Sequence, residues 1–185
     1  EECYARVFNR FAHLVADDDA SNMLVLEGFL RLRQFSIHPD LCHEAVFETK
    51  YTGRSKKMET LQRLIAEHPD EKTLVFCQFK REMDMIQDFL DVKYFRLDGE
   101  SDMVERSRII KRFKKHEGGC VFIIQIKTGG QGLNLQEASR VYITSPSWNP
   151  ATELQAISRA HRTGQTKNVY VKKLVCVSTS EAPSI

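Results

Sequence analysis

What this sequence lacks narrows it first. No apolar run approaches the ~20 residues that a membrane-spanning helix requires, so no membrane partner is expected. No secretory leader opens the chain, and "EECYARVF" starts abruptly in helical sequence, as a piece of a longer protein would. Neither sign of charge prevails: 27 Lys and Arg against 25 Asp and Glu leave a net charge of +2. Bulk charge therefore neither demands nor excludes a nucleic-acid partner, and any basic surface must be local. The five cysteines are odd in number and include no C-x-x-C pair. Cys77, Cys120 and Cys176 lie in or beside apolar runs, the pattern of reduced thiols in an intracellular core rather than of disulfides or a metal site. There is no internal repeat, no low-complexity tract, and no G-x-x-x-x-G-K-[ST] phosphate loop.

What is present falls into two textures. Residues 1–42 read as helices only. Tyr4, Val7, Phe8, Phe11 and Leu14 form one stripe, and a second run extends from Met23 through Leu26, Phe29 and Leu30 to Ile37, stopping near His38-Pro39. Residues 43–56 have little periodicity and read as a connector. From 57 to 177 helices and strands alternate. A helix from Lys57 to Glu67 precedes the strand "TLVFC", one from Lys80 to Leu90 precedes "KYFRL", and one from Asp102 to Lys115 precedes "CVFIIQI". A glycine loop, the strand "RVYIT", a helix from Leu154 to Gln165 and a last strand "NVYVKKLVCV" follow, then an irregular tail at 178–185 that contains Pro183. Strands apolar throughout suit a sheet covered on both faces, and the alternating helices supply the cover. The fold class predicted is α/β: a doubly wound, mainly parallel sheet with flanking helices, plus an N-terminal helical protrusion.

In such a sheet ligands collect beyond the carboxyl ends of the strands. Gln78, Phe79 and Lys80 follow the first strand, Asp98 and Gly99 the second, "KTGGQGLNL" the third and "SPSWNP" the fourth. Gly129, Gly130 and Gly132 would let backbone N–H groups approach an anion without Cβ interference, although a plain tight turn uses the same residues. Asn149 suits a helix cap and Pro150 a first helical position; Trp148 just before them reads either as an apolar plug or as a contact for a partner. The helix at 102–115 buries Met103, Ile110 and Phe113, and its many bases read as a wet face with room for one or two phosphate contacts. Gln155, Arg159 and Arg162, spaced four and three apart, fall on one helical stripe beside Leu154, Ile157 and His161. Two such arginines either pair with carboxylates inside the fold or aim planar donors at phosphoryl oxygens.

Together "KTLVFCQF", "FRLDGESDMVER", "IKTGGQGLNL" and "ASRVYITSPSWNPATELQAISRAHRTGQT" resemble helicase motifs IV to VI, in order and spacing, and most closely those of the Swi/Snf-type branch of superfamily-two helicase-like ATPases. The resemblance covers nearly the whole chain, including "LRLRQFSIHPDL". It implies that 57–177 is the C-terminal RecA-like lobe of a two-lobed motor that steps along double-stranded DNA. ATP and magnesium would be held mainly by an N-terminal RecA-like lobe of the same polypeptide, with no metal site in this chain. It further implies that Arg159 and Arg162 are catalytic arginine fingers and that Gln155 helps place them. Gly130, Gly132 and Asn134 would sense nucleotide, while Gln78, Gly99, Ser101, Lys127 and Trp148 would touch DNA. The location implied is intracellular, in the nucleus or wherever the target DNA resides. Glu100 and Asp102 depart from the small hydroxylated residues usual there, and Thr128 and Gln131 replace commoner small or apolar ones. The tail fits the family's closing helix poorly, and the RING zinc domain of some relatives is missing. Two alternatives stay open: a non-catalytic DNA- or partner-binding module derived from such a lobe, and the lobe of an RNA helicase.

Overall fold

A computed structural model describes residues 9, 22–42, 51, 53–128 and 132–176. The stripe at Tyr4–Leu14, most of the connector, Gly129–Gln131 and the tail at 178–185 lie outside the described residues. The chain divides into two compact units, one of residues 1–58 with 175–185 and one of 59–174.

In the first unit α1 spans Asn22–Ile37 and a single 3-10 turn follows at Pro39–Leu41, capped by the His38 ring, which accepts from the Asp40 N–H. The apolar run anticipated there is buried only toward its end. Leu32 and Ile37 are enclosed, whereas Met23, Leu26 and Leu30 are exposed.

The second unit is a five-stranded sheet of order β2-β3-β1-β4-β5, with β1 Lys72–Cys77, β2 Tyr94–Leu97, β3 Cys120–Gln125, β4 Arg140–Ile143 and β5 Tyr170–Lys173. Every pairing is parallel, with Leu74 opposite Phe122 and Val141, and Phe95 opposite Phe122. Between the strands run α2 Lys56–Ala66, which starts in the first unit, then α3 Lys80–Phe89, α4 Met103–Lys115 and α5 Pro150–Ile157. Alternation along the strands sends successive side chains to opposite faces. Leu74, Phe76, Phe122, Ile124, Val141 and Ile143 share one core with Phe113 of α4 and Ala156 of α5. Tyr142 points the other way, and its hydroxyl donates to the Leu64 carbonyl of α2. Both faces are thus covered, which is why β1 and β3 tolerate unbroken apolar sequence; each fully buried large side chain contributes ~1.5–3 kcal/mol.

Three sequence-based expectations are corrected. Met103 is 84% exposed, so the buried side of α4 is Phe113 with Ile109 and Ile110. The last strand is four residues rather than ten, because its partner β4 supplies only four pairing positions. The helix anticipated through Gln165 starts at Pro150 behind its Asn149 cap, as expected, but ends at Ile157.

Candidate functional site

The carboxyl ends of β1, β2 and β3 are tied together by one side chain. Gln125, the last residue of β3, accepts from the Gly99 N–H (3.2 Å) and donates to the Gln78 carbonyl (3.4 Å). A Cβ at Gly99 would lie 3.6 Å from the Gln125 oxygen and 3.7 Å from the Thr128 hydroxyl, so Thr128 adjoins the same spot. Gln78, Gly99 and the residues that follow β3 therefore make one strip, with Ser101 two residues beyond Gly99 and Lys127 exposed. Behind the strip, the buried Glu82 of α3 accepts from the N–H groups of Gln78 (2.9 Å) and Phe79 (3.1 Å), half of a capping box, and is reached by the Thr144 hydroxyl beyond β4. The Gln78 amide nitrogen is buried without a hydrogen-bond partner among the described residues.

The two acids that seemed out of place on a phosphate path have local partners. Glu100 forms an ion pair with Lys80, and Asp102 caps α4 by accepting from the Glu105 N–H (2.7 Å). Trp148 is 65% exposed, so it is no interior plug. Asn149 caps α5 by accepting from the Ala151 N–H (2.9 Å), with Pro150 first in the helix.

Arg159 and Arg162 stand beyond the end of α5, on turns closed by Arg159 N–H to Ala156 and Ala160 N–H to Ile157. The stripe read from sequence is therefore rotated. Leu154 is 67% exposed, Gln155 and His161 are exposed, and the buried side is Glu153, Ala156, Arg159 and Ala160. What shapes these turns is the segment after the glycine loop. The Leu135 N–H donates to the Arg159 carbonyl (2.9 Å), and the Gln165 amide reaches the carbonyls of Gln136 (2.8 Å), Ala138 (3.1 Å) and Ala160 (3.2 Å). Gln136 in turn donates to the Thr163 carbonyl, beside Gly164 at φ +99°. Arg159 and Arg162 line one cavity of about 530 Å³ with Ser158, His161 and Thr163, and no carboxylate lines it. Burial first, and the neighbouring Arg162 charge second, push the Arg159 guanidinium below its usual pKa. Guanidinium groups in such a cavity present planar, multidentate donors, the kind that suit an anion.

Gly132 takes φ +62°, a conformation suited to glycine, and a side chain there would meet nothing within 4 Å. Asn134 donates to Gln136 (3.4 Å), while its own carbonyl oxygen is buried without a partner among the described residues. Gly130 lies outside the described residues. Among the described residues no group of three or more His, Cys, Asp or Glu gathers closely enough to hold a metal ion, and no helix is long and apolar enough to cross a membrane. Sequence reasoning passed over Gln125, Glu82 and Gln165. The first left a signal, a lone amide closing an otherwise apolar strand.

The helicase conserved C-terminal domain profile matches residues 56–164. The chain is 32% identical to the chromatin-remodeling ATPase INO80 of Arabidopsis thaliana over 94% of its own length and 12% of that protein's. It is also 32% identical to the transcription regulatory protein SNF2 of Saccharomyces cerevisiae, over 96% of its length and 11% of that protein's. It thus spans about an eighth of such relatives. The solved Sulfolobus solfataricus SWI2/SNF2 ATPase core in complex with dsDNA superposes with a TM-score of 0.70 at 29% identity, covering 97% of this chain and 38% of that one.

Proposed function

This chain belongs to the helicase conserved C-terminal domain family, in its Swi/Snf-type ATPase branch, and from that premise we propose that it is the second ATPase lobe of an ATP-dependent double-stranded DNA translocase. Residues 57–177 form that lobe, 1–42 its helical protrusion and 43–56 the connector. The partners are duplex DNA and an N-terminal RecA-like lobe of the same polypeptide; the location is the nucleus or wherever that DNA resides.

The observation that carries this reading is the shared cavity of Arg159 and Arg162. Two guanidinium groups share one cavity and repel one another, with one of them desolvated, a setting that an anion would stabilise. They fit the γ-phosphate of a nucleotide because their planar donors match phosphoryl oxygens. When bound, ATP with magnesium supplies the phosphoanhydride bond and the partly neutralised phosphate charge. The chain's own part is electrostatic: Arg159 and Arg162 stabilise charge that develops as water attacks. Gln155 orients them, and Gly130, Gly132 and Asn134 report nucleotide occupancy to the strand ends. Gln78, Gly99, Ser101 and Lys127 offer an amide, a backbone N–H, a hydroxyl and an ammonium along one strip, donors suited to a phosphate backbone. Trp148 adds an exposed indole. Likeness to a core solved with dsDNA supports duplex over RNA.

In the full-length protein, Arg159→Ala or Arg162→Ala is expected to lower duplex-stimulated ATP turnover by on the order of 10³ while leaving duplex binding largely intact. Unchanged turnover in both variants would overturn the assignment. The 185-residue chain by itself should show no turnover above that of its Arg159→Ala counterpart.

A further inference from the structure

A second cavity, of about 450 Å³, opens between the start of β2 and the later turns of α4. Five bases line it: Lys93, Arg108, Lys111, Arg112 and Lys115. No carboxylate does, although Asp91 and Glu117 adjoin the lining residues in sequence. Among the described residues none of the five forms an ion pair, whereas Lys80, Arg96, Lys114 and Arg140 each face a carboxylate.

A wet helix face explains scattered bases, not this arrangement. Residues 108, 111, 112 and 115 recur on one side of α4, where like charges at three- and four-residue spacing repel. The negative end of the helix dipole favours Arg112 and Lys115 in the last turn. It does nothing for Arg108 in mid-helix, nor for Lys93 just before β2. In a chain of net charge +2, five uncompensated cations around one hollow make a local field that an anion would relieve. The floor is aromatic: Phe95, nearly buried, stands edge-on to His116 at 6.0 Å, with the Lys93 ammonium 5.7 Å from its ring centre.

We propose that this cavity docks an acidic peptide, a stretch of Asp and Glu carrying one apolar side chain that enters the hollow. Charge complementarity selects an anion. Concavity and the Phe95 floor select a peptide over a duplex, whose phosphates lie on a convex surface with no apolar group to set against the ring. Position agrees: Lys93 precedes β2 while Gly99 follows it, so the cavity lies at the opposite end of that strand from the strip suited to duplex. Neither Arg159 nor Arg162 lines this cavity.

The test uses the full chain and a labelled synthetic peptide of Asp and Glu around one Phe, followed by fluorescence anisotropy, with a duplex oligonucleotide in parallel. Peptide binding that weakens as salt rises is expected, with ring resonances of Phe95 and His116 shifting on titration. Lys111→Glu should reduce peptide affinity on the order of tenfold. Arg63→Glu, an equal change of charge at an exposed residue of α2 already paired with Glu67, should leave it nearly unchanged. Lys111 is exposed, so the core is untouched, and circular dichroism verifies the fold; Arg108→Gln serves as an independent second variant. Absence of peptide binding at low salt would overturn the proposal, as would equal losses in the Lys111 and Arg63 variants. So would duplex binding that depends on Lys111 while peptide binding does not.

Discussion

Arg159 and Arg162 sit three residues apart in very different surroundings. Arg159 is only 8% exposed, whereas Arg162 stands in solvent. Loss of the first should remove packing as well as charge. Arg159→Ala is expected to lower unfolding free energy by about 1–2 kcal/mol, while Arg162→Ala stays within about 0.5 kcal/mol, both read from urea midpoints. Equal destabilisation would contradict the burial difference. Gln165 poses a sharper test, because one amide serves three carbonyls of two segments. Gln165→Leu should cost about 1–3 kcal/mol by leaving those carbonyls short of a donor. At this scale the sequence was legible in part. The arginines were visible through motif and spacing, yet their unequal burial was not, because it depends on tertiary contacts such as the bond from the Leu135 N–H to the Arg159 carbonyl, between residues far apart in the chain.

Elements were most legible where a single local force decides them. β1 and β3 are apolar throughout because both faces are covered, and they begin and end within a residue or so of where composition places them. α4 starts after Asp102, whose carboxylate takes the Glu105 N–H. Asp102→Ala is therefore expected to cost about 1 kcal/mol, measured as a lowered melting temperature, and Asp102→Ser much less. α5 was misread because helical spacing in "LQAISRAHR" persists past Ile157, where tertiary bonds bend the backbone into tighter turns. The turn before β3 was passed over, although the Gly118-Gly119 pair marks it. A Cβ at Gly119 would stand 1.7 Å from the Pro69 carbonyl oxygen, so Gly119→Ala must displace backbone.

For the molecule as a whole, a clasp at the amino ends of the strands contributes to the acid response. Arg140 first and Ser139 second hydrogen-bond the Glu71 carboxylate, holding its pKa near 2 against an ordinary 4.5. A depressed carboxylate contributes stability in full above the unfolded value, and that contribution fades as pH falls through the folded one. Wild type should therefore exceed Glu71→Gln in urea midpoint at about pH 6, and the gap should close between about pH 4.5 and pH 2. A gap that persists unchanged at low pH would contradict the clasp. Sheet order and strip geometry belong to this scale too, and they were the least legible. Gln78 and Gly99 are linked through Gln125, which lies far along the chain from both.

Binding of ADP with aluminium fluoride to the full-length protein reports whether Arg159 and Arg162 face a transferring phosphoryl group. An arginine pair acting on the transition state predicts that Arg159→Ala loses affinity for that analogue by on the order of 10² or more, with affinity for ADP alone preserved. Retention of wild-type analogue affinity in Arg159→Ala and Arg162→Ala alike would contradict it.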